Sequence, residues 1–451
     1  MFLKASKFFL HASVLAVLVV MTTTFFPFIG GKDYYFRFAI ELALISFLLW
    51  WAFEADFGAV LRKVQGEFRR PVVIAVSLFV LVFILATIFA YDPHAAFWSN
   101  FERGDGGFQV LHYYVFFLLL VILFDTQKDW KTIFRVSLAT GVLMILYGVL
   151  ADLGIVKSFV GIYGGAPPAG WWAPLTQGRF QGSLGNPAYV APYILFSFFY
   201  LAYLWASDPK RTWLKHAGYI ALAAFFLLFF VLSQTRGALV GLGAAAAAFL
   251  IYLAWSFKAW RRWLAPTFII CAIAASLLIY YHDSPFVKKL PGGRIFDISL
   301  SDQTVSTRVW TWGSAWQGFL ERPVLGWGPE NFTAVFDKYF DPRHYVPGEQ
   351  TETWFDRAHS LYFDALAETG ILGFISYFSI FAVLFWQLFR RRASEALSPG
   401  FQDDLIRNGI VLALPIGYLV QGLAIFDVLP IYINLFLFFA FAHFHLTHRN
   451  A

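Results

Sequence analysis

The sequence predicts an all-α polytopic membrane protein of about twelve transmembrane helices, with a large, partly helical extracytoplasmic (periplasmic-side) loop between helices 9 and 10. Three observations predict it. Of 451 residues, 59% are hydrophobic and only 14% charged, more apolar surface than one water-soluble core can use. Apolar runs of about 20 residues, enough for a helix to cross a ~30 Å hydrocarbon layer, recur along the chain. The runs are continuous rather than alternating, which argues against a closed β-barrel.

Taken in order, the runs lie at 8–28, 36–54, 71–91, 110–124, 133–151, 187–206, 217–233, 237–255, 265–281, 369–389, 408–426 and 429–447. The first follows Lys4 and Lys7 but lacks a small-residue cleavage pattern, so it is expected to be retained as a helix. The chain reads as one integral membrane domain, 1–451, in which 282–368 forms a lid or wall. The 54 Phe and 17 Trp fit lipid-facing packing and interfacial belts. Cys271, the single cysteine, falls inside an apolar run, which excludes an intrachain disulfide or a cysteine metal cage and reads as a small core residue.

Charge gives orientation. With both termini cytoplasmic, the inner connections collect 20 Lys and Arg, from Lys4 and Lys7 through Arg62, Lys63, Lys128, Lys131 and Lys215 to Arg390, Arg407 and Arg449. The short outer loops hold six: Lys32, Arg37, Arg103, Lys157, Arg179 and Arg236. This is the positive-inside asymmetry, and it implies membrane lipids rather than nucleic acid as partners.

The unusual sequence is concentrated on the outer side. In the 282–368 segment, Trp310, Ala315, Phe319 and Leu320 are spaced to line one side of a helix that stops before Pro323, and Gly326, Gly328 and Pro329 force a turn. A loop of this length usually serves function. Arg179 and Arg236 stand beside glycine-rich turns, and Arg308 opens the amphipathic stretch. Arg236 separates two apolar runs with almost no loop, where a guanidinium faces a cavity or an anion or else snorkels. Three outer-face arginines favour an anion site, since the guanidinium fork matches phosphate oxygens.

His359 lies where the outer segment meets an apolar run, and imidazole is the side chain suited to taking a proton from a hydroxyl at neutral pH. Taken alone it reads as an interfacial structural histidine; beside an arginine-lined phosphate site it reads as a general base. Arg357 is expected to bring a like charge against it if the two side chains converge. Asp364 and Glu368, four apart on one helix face, read as a solvated helix entrance, or as groups that orient His359 or bind sugar hydroxyls. Glu102, Arg103 and Asp105 shape a turn before the fourth run, with His112 one turn inside it and carbohydrate contact as a weaker reading, and Glu41 is an unassigned intramembrane carboxyl. A Gly-rich phosphate loop, an HExxH pair, a GxSxG elbow and an Asp-x-Asp metal signature are all missing from the sequence, so neither a cofactor nor a metal is implied.

In order, "GRFQGSLGNPAYVAPY", "SQTRGALVG", "RVWTWGSAWQGFLERPVLGWGPENF" and "RAHSLYFDALAETGILG" resemble the O-antigen ligase superfamily, which includes O-antigen polymerases and protein O-oligosaccharyltransferases of bacterial inner membranes. The resemblance covers most of the chain. It implies transfer of a glycan from an undecaprenyl-pyrophosphate carrier to an acceptor hydroxyl outside the cytoplasmic membrane, in a metal-independent, inverting reaction. By the same resemblance His359 is the catalytic base and Arg236, Arg308 and Arg179 hold pyrophosphate. The long outer segment and the lack of a soluble C-terminal domain favour a ligase over a polymerase. A secondary transporter or lipid-linked glycan flippase is the reading from another class; it predicts a polar path through the bilayer, whereas these ionisable groups cluster outside.

Overall fold

The structure is a computed structural model that describes residues 1–24, 26–100, 104–157, 178–208, 212–257, 261–290, 293–296, 303–345, 347–348, 352–395 and 401–447. Every element among the described residues is helical. In chain order these are α1 (Phe2–Ser13), α2 (Gly30–Phe53), α3 (Phe57–Glu67), α4 (Pro71–Ile88), α5 (Pro93–Trp98) and α6 (Gly107–Leu123). They continue with α7 (Gln127–Asp152), α8 (Pro187–Ala206), α9 (Trp213–Leu232), α10 (Arg236–Ser256), α11 (Arg261–Tyr280) and α12 (Pro285–Lys289). The last are α13 (Gln303–Glu321), α14 (Phe332–Lys338), α15 (Leu361–Glu395), α16 (Phe401–Gln421) and α17 (Leu429–Thr447).

Nine helices among the described residues are long and apolar enough to span a membrane, and each falls on one of the twelve runs. The other three runs differ. α6 is apolar but shorter. α16 starts at Phe401, before the apolar stretch, and so takes in Asp404 and Arg407. The 8–28 run is a helix only to Ser13, tightening to a 3₁₀ turn over Val14–Leu18. Beyond it come three β-branched threonines and Pro27, poor helix formers, and the carbonyl of Val19 accepts instead from Lys32 Nζ.

Helix starts follow from local sequence. Asp92 accepts from the His94 and Ala95 amides ahead of Pro93, Asn186 from Ala188 ahead of Pro187, and Thr126 from Asp129. α17 is the central stave, buried along nearly its whole length against α6, α8 and α15. Its neighbours interlock through rings: Phe134 lies 4.7 Å from Tyr200 and 4.9 Å from Phe441, and Tyr203 lies 4.6 Å from Phe441. Much of the aromatic content is therefore interior. In lipid, tight packing rather than water exclusion holds helices together, and large rings supply it. α11 is the opposite case, with Ile269, Ile270, Ile273 and Leu277 all exposed.

Ion pairs sort the two ends of the bundle. The N-terminal ammonium meets Glu54 at 2.7 Å, Lys7 meets Asp129 at 3.0 Å, Lys63 meets Asp125 at 2.6 Å, and His443 meets Glu67 at 2.7 Å. These tie the N-terminus, the α2–α4 connection, the α6–α7 turn and the end of α17 together at one end of the bundle. His359 and the segment before it lie at the other.

The segment between α11 and α15 has a small apolar core of its own, built on Ala315, Trp327, Phe332, Val335, Phe336 and Phe355 and closed by Ala358 and Ala367. α13 ends at Glu321, ahead of Pro323 as its sequence predicts, but of the expected face only Ala315 is fully buried, and the buried face is shifted around the helix. Thr307, Thr311, Ser314 and Ala315 are buried, whereas Leu320 is 54% exposed. Small residues win this face because α14 comes close: a Cβ on Gly318 would stand 2.3 Å from Val335 Cγ1.

Candidate active site

Two sequence motifs that lie apart in the chain form one interlocked unit. The turn Pro323–Gly328 runs alongside the break in α15 at Gly370, where the backbone has φ 63° and ψ −166°. Trp327 and Gly328 donate to the carbonyls of Ala367 and Glu368 at 2.9 and 2.8 Å, and Ile371 donates to Pro323 at 2.8 Å. Only glycine permits this approach at two points. A Cβ on Gly370 would sit 2.5 Å from the Val324 carbonyl, and one on Gly326 would sit 2.5 Å from the Glu368 backbone.

Above that joint, the loop carrying His359 is pinned from several directions. Trp312 Nε1 donates to the Ala358 carbonyl at 3.0 Å, and the Ala358 amide donates to Asp364 Oδ1 at 2.6 Å. Leu361 donates its amide to Gly422 and Ile425 in the α16–α17 turn. His359 itself has φ 55°, a left-handed conformation that costs a non-glycine residue about 1–3 kcal/mol and persists only where surroundings enforce it. Its ring stands edge-on to Phe355 at 5.4 Å and to Phe426 at 4.9 Å, with Nδ1 3.1 Å from the carbonyl of Arg357. With Nδ1–H donating there, Nε2 carries the lone pair.

Arg357 sits in a buried ion cluster. Its guanidinium is buried and engaged by Glu368, both of whose oxygens it meets at 2.8 Å, and by Glu330. Its backbone carbonyl meets His359 Nδ1, so Arg357 helps to shape the loop. Asp364 and Glu368 are not a solvated helix entrance, being 7% and 6% exposed. Asp364 holds the Ala358 amide, and Glu368 holds Arg357 and the Glu330 amide at 3.1 Å.

Of the arginines, Arg179 donates Nε to the Ser233 carbonyl at 3.0 Å and Nη2 to Thr235 Oγ1 at 3.1 Å. It thereby staples the turn that presents Arg236, and Gln234, at φ 52°, returns a hydrogen bond to Gly178. Arg236 is the half-buried first residue of α10. Gly237 beside it packs on the turn that receives Leu361, a Cβ there lying 3.5 Å from Ala424 Cβ. Arg236 and His359 thus flank one α16–α17 turn. Arg308 lies one helical turn before Trp312 on α13, half-buried and close enough to Glu352 to act on its charge. Glu102 and Arg103 lie outside the described residues; Asp105 beside them is buried and accepts from Tyr113.

Sequence reasoning missed Glu330, Phe426 and Asp427. Asp427, in the α16–α17 turn, accepts from Tyr418, which in turn meets Tyr377 at 2.5 Å. Burial pushes its carboxyl up to about 7, with the Tyr418 hydrogen bond opposing and Asp105 reinforcing the shift. Together with Arg357, Asp364, Glu368 and Phe426 it lines a cavity under the His359 loop. A carboxyl between two apolar runs was the one available signal.

Residues 221–378 match the family model described as O-antigen ligase, a stretch that contains Arg236, Arg308, Arg357, His359 and Asp364. No curated protein matches the chain.

Proposed function

We propose, from the match of residues 221–378 to the O-antigen ligase family model, that the chain is a member of the O-antigen ligase superfamily and transfers a glycan from an undecaprenyl-pyrophosphate carrier to an acceptor hydroxyl, at the extracytoplasmic face of a bacterial inner membrane. The basic end of the bundle, with both termini, then faces the cytoplasm, in keeping with its charge. The 282–368 segment is the wall of the site.

The observation that carries this reading is the held geometry of His359. A left-handed residue, pinned through Ala358 and Leu361 and oriented through Nδ1, presents Nε2 as a base. In the proposed step, Nε2 takes the proton of the acceptor hydroxyl as that oxygen bonds to the anomeric carbon. The bond from that carbon to the pyrophosphate breaks on the opposite face, inverting the centre, and the electron pair leaves on the diphosphate. Arg236 and Arg308 neutralise the charge that develops there, which stabilises the transition state more than the ground state. Arg179 positions Arg236 through the Ser233–Thr235 turn. No step calls on a metal ion.

The test is transfer by purified protein from a lipid-pyrophosphate glycan to a panel of lipid, glycan and peptide hydroxyls, with His359→Ala beside wild type. Loss of roughly 10²–10⁴-fold at unchanged melting temperature is expected. An active His359→Ala would remove the base. Arg236→Lys and Arg308→Lys should lose activity although charge is kept, because the planar fork is lost. The productive acceptor separates ligase, polymerase and protein glycosylation.

A further inference from the structure

At the same end of the bundle as His359, a separate groove of about 670 Å³ runs between the first half of α2, α5 and the start of α6. Its lining is mixed in a specific way. Asp33 is 3% exposed, and its Oδ1 has no hydrogen-bond partner among the described residues. Arg37 is held in place, donating to Gln109 Oε1 and to the Gly104 carbonyl at 2.8 Å, with Phe108 5.2 Å and Tyr34 5.9 Å from the guanidinium. The rim is aromatic and open: Tyr34 is 59% and Trp98 51% exposed. Further along α2, Glu41 pairs with His112 at 3.2 Å while its side chain remains 52% exposed on a membrane-length helix.

A buried carboxylate oxygen without a partner among the described residues is costly unless a polar ligand meets it, and Glu41, which His112 meets at one oxygen, keeps a half-exposed carboxylate on a spanning helix with room for a further donor. An acyl chain satisfies neither, and a phosphate is repelled by both. We infer that this groove holds a saccharide chain, its rings stacked on Trp98 and Tyr34 and its hydroxyls donating to Asp33 and Glu41. A sugar ring offers an apolar C–H face and an equatorial belt of hydroxyl donors, the two surfaces these residues complement. The groove also reaches the active-site loop. Ser99, which lines it, donates to Glu330 at 2.6 Å, and Glu330 holds Arg357.

The saccharide has two possible sources, the donor's glycan and a glycan on the acceptor. Only that distinction rests on the proposed transfer reaction, since binding is measurable without turnover. The experiment uses the full chain in nanodiscs and two lipid-free probes made by mild acid hydrolysis: the glycan cleaved from the lipid-pyrophosphate donor, and the oligosaccharide cleaved from the cell's outer-membrane glycolipid. Calorimetric titration should show one of them binding. Trp98→Ala, at an exposed site, and Asp33→Asn should each weaken that binding about tenfold. In turnover the same variants should raise KM for the matching substrate by a similar factor with kcat within about twofold. If neither probe binds wild type, or both variants bind and turn over as wild type does, the inference is overturned. Variants behaving as wild type while His359→Ala is dead would sink the groove alone. A groove that binds saccharide in a protein that transfers to no acceptor would leave the groove standing and sink the transfer reading.

Discussion

Replacing Arg357 with methionine should expose how the His359 loop is held. The guanidinium, with side-chain exposure of 10%, lies between Glu330 at 3% and Glu368 at 8%. Removing it leaves two carboxylates buried and apposed, a loss on the order of 3–5 kcal/mol. The lower part of that range is expected, because each carboxylate keeps a neutral donor, Ser99 for Glu330 and the Glu330 amide for Glu368. The triple variant Arg357→Met, Glu330→Gln, Glu368→Gln removes the uncompensated charge as well and should return to within about 1 kcal/mol of wild type. Equilibrium unfolding in mixed micelles gives the coupling, which should exceed about 2 kcal/mol. Transfer should not recover with stability: with the Arg357 tether gone, the carbonyl that orients Nδ1 can drift, and misplacement by about 1 Å costs roughly 10²-fold. A single variant costing under about 1 kcal/mol, or a triple variant as unstable as the single, would refute the ion-triad account.

Two other perturbations probe the outer segment. Gly370→Ala forces a Cβ against the Val324 carbonyl in a conformation nearly exclusive to glycine, and should cost about 3 kcal/mol or more through strain and lost hydrogen bonds to the 323–328 turn; an unchanged melting temperature would show that the joint is not rigid. His344 is buried among Trp310, Phe336, Phe340 and Phe355, and burial lowers its proton affinity, with Asp341 opposing and Arg343 assisting. A folded pKa below the ordinary 6.5 means the unfolded chain binds more protons, so this contribution to stability is whole above 6.5 and is lost as pH falls beneath it. Melting curves at pH 7.5 and 5 should show a smaller acid loss for His344→Phe than for wild type, and equal losses would exclude His344 as the cause.

Much of the fold was legible because a bilayer imposes a simple code. A span needs length and apolarity, and charge orients it, so runs such as 71–91 and 429–447 could be read directly. Failures came where local backbone chemistry overrode hydrophobicity, as in the 8–28 run, or where close approach favoured small residues, as on α13. The candidate site was legible as residue types in order: His359, Arg236 and Arg308 stand out because such groups are rare beside apolar runs. Their division of labour was not. Arg179 reads like the other arginines but staples a turn, and Asp364 and Glu368 read as solvated but are buried structural acceptors.

The sequence by itself determined the solvent, the helical class, the orienting charge asymmetry and the presence of an outer segment rich in arginine and turns. These depend on properties that add along the chain. Tertiary structure decided that Gly326 and Gly370 close one joint, that the Arg357 guanidinium is held by Glu330 and Glu368, and that Asp33, Arg37 and Trp98 share a groove. Those are pairings between residues well apart in the chain, and a pairing energy exists only once the backbone has brought both partners to one place.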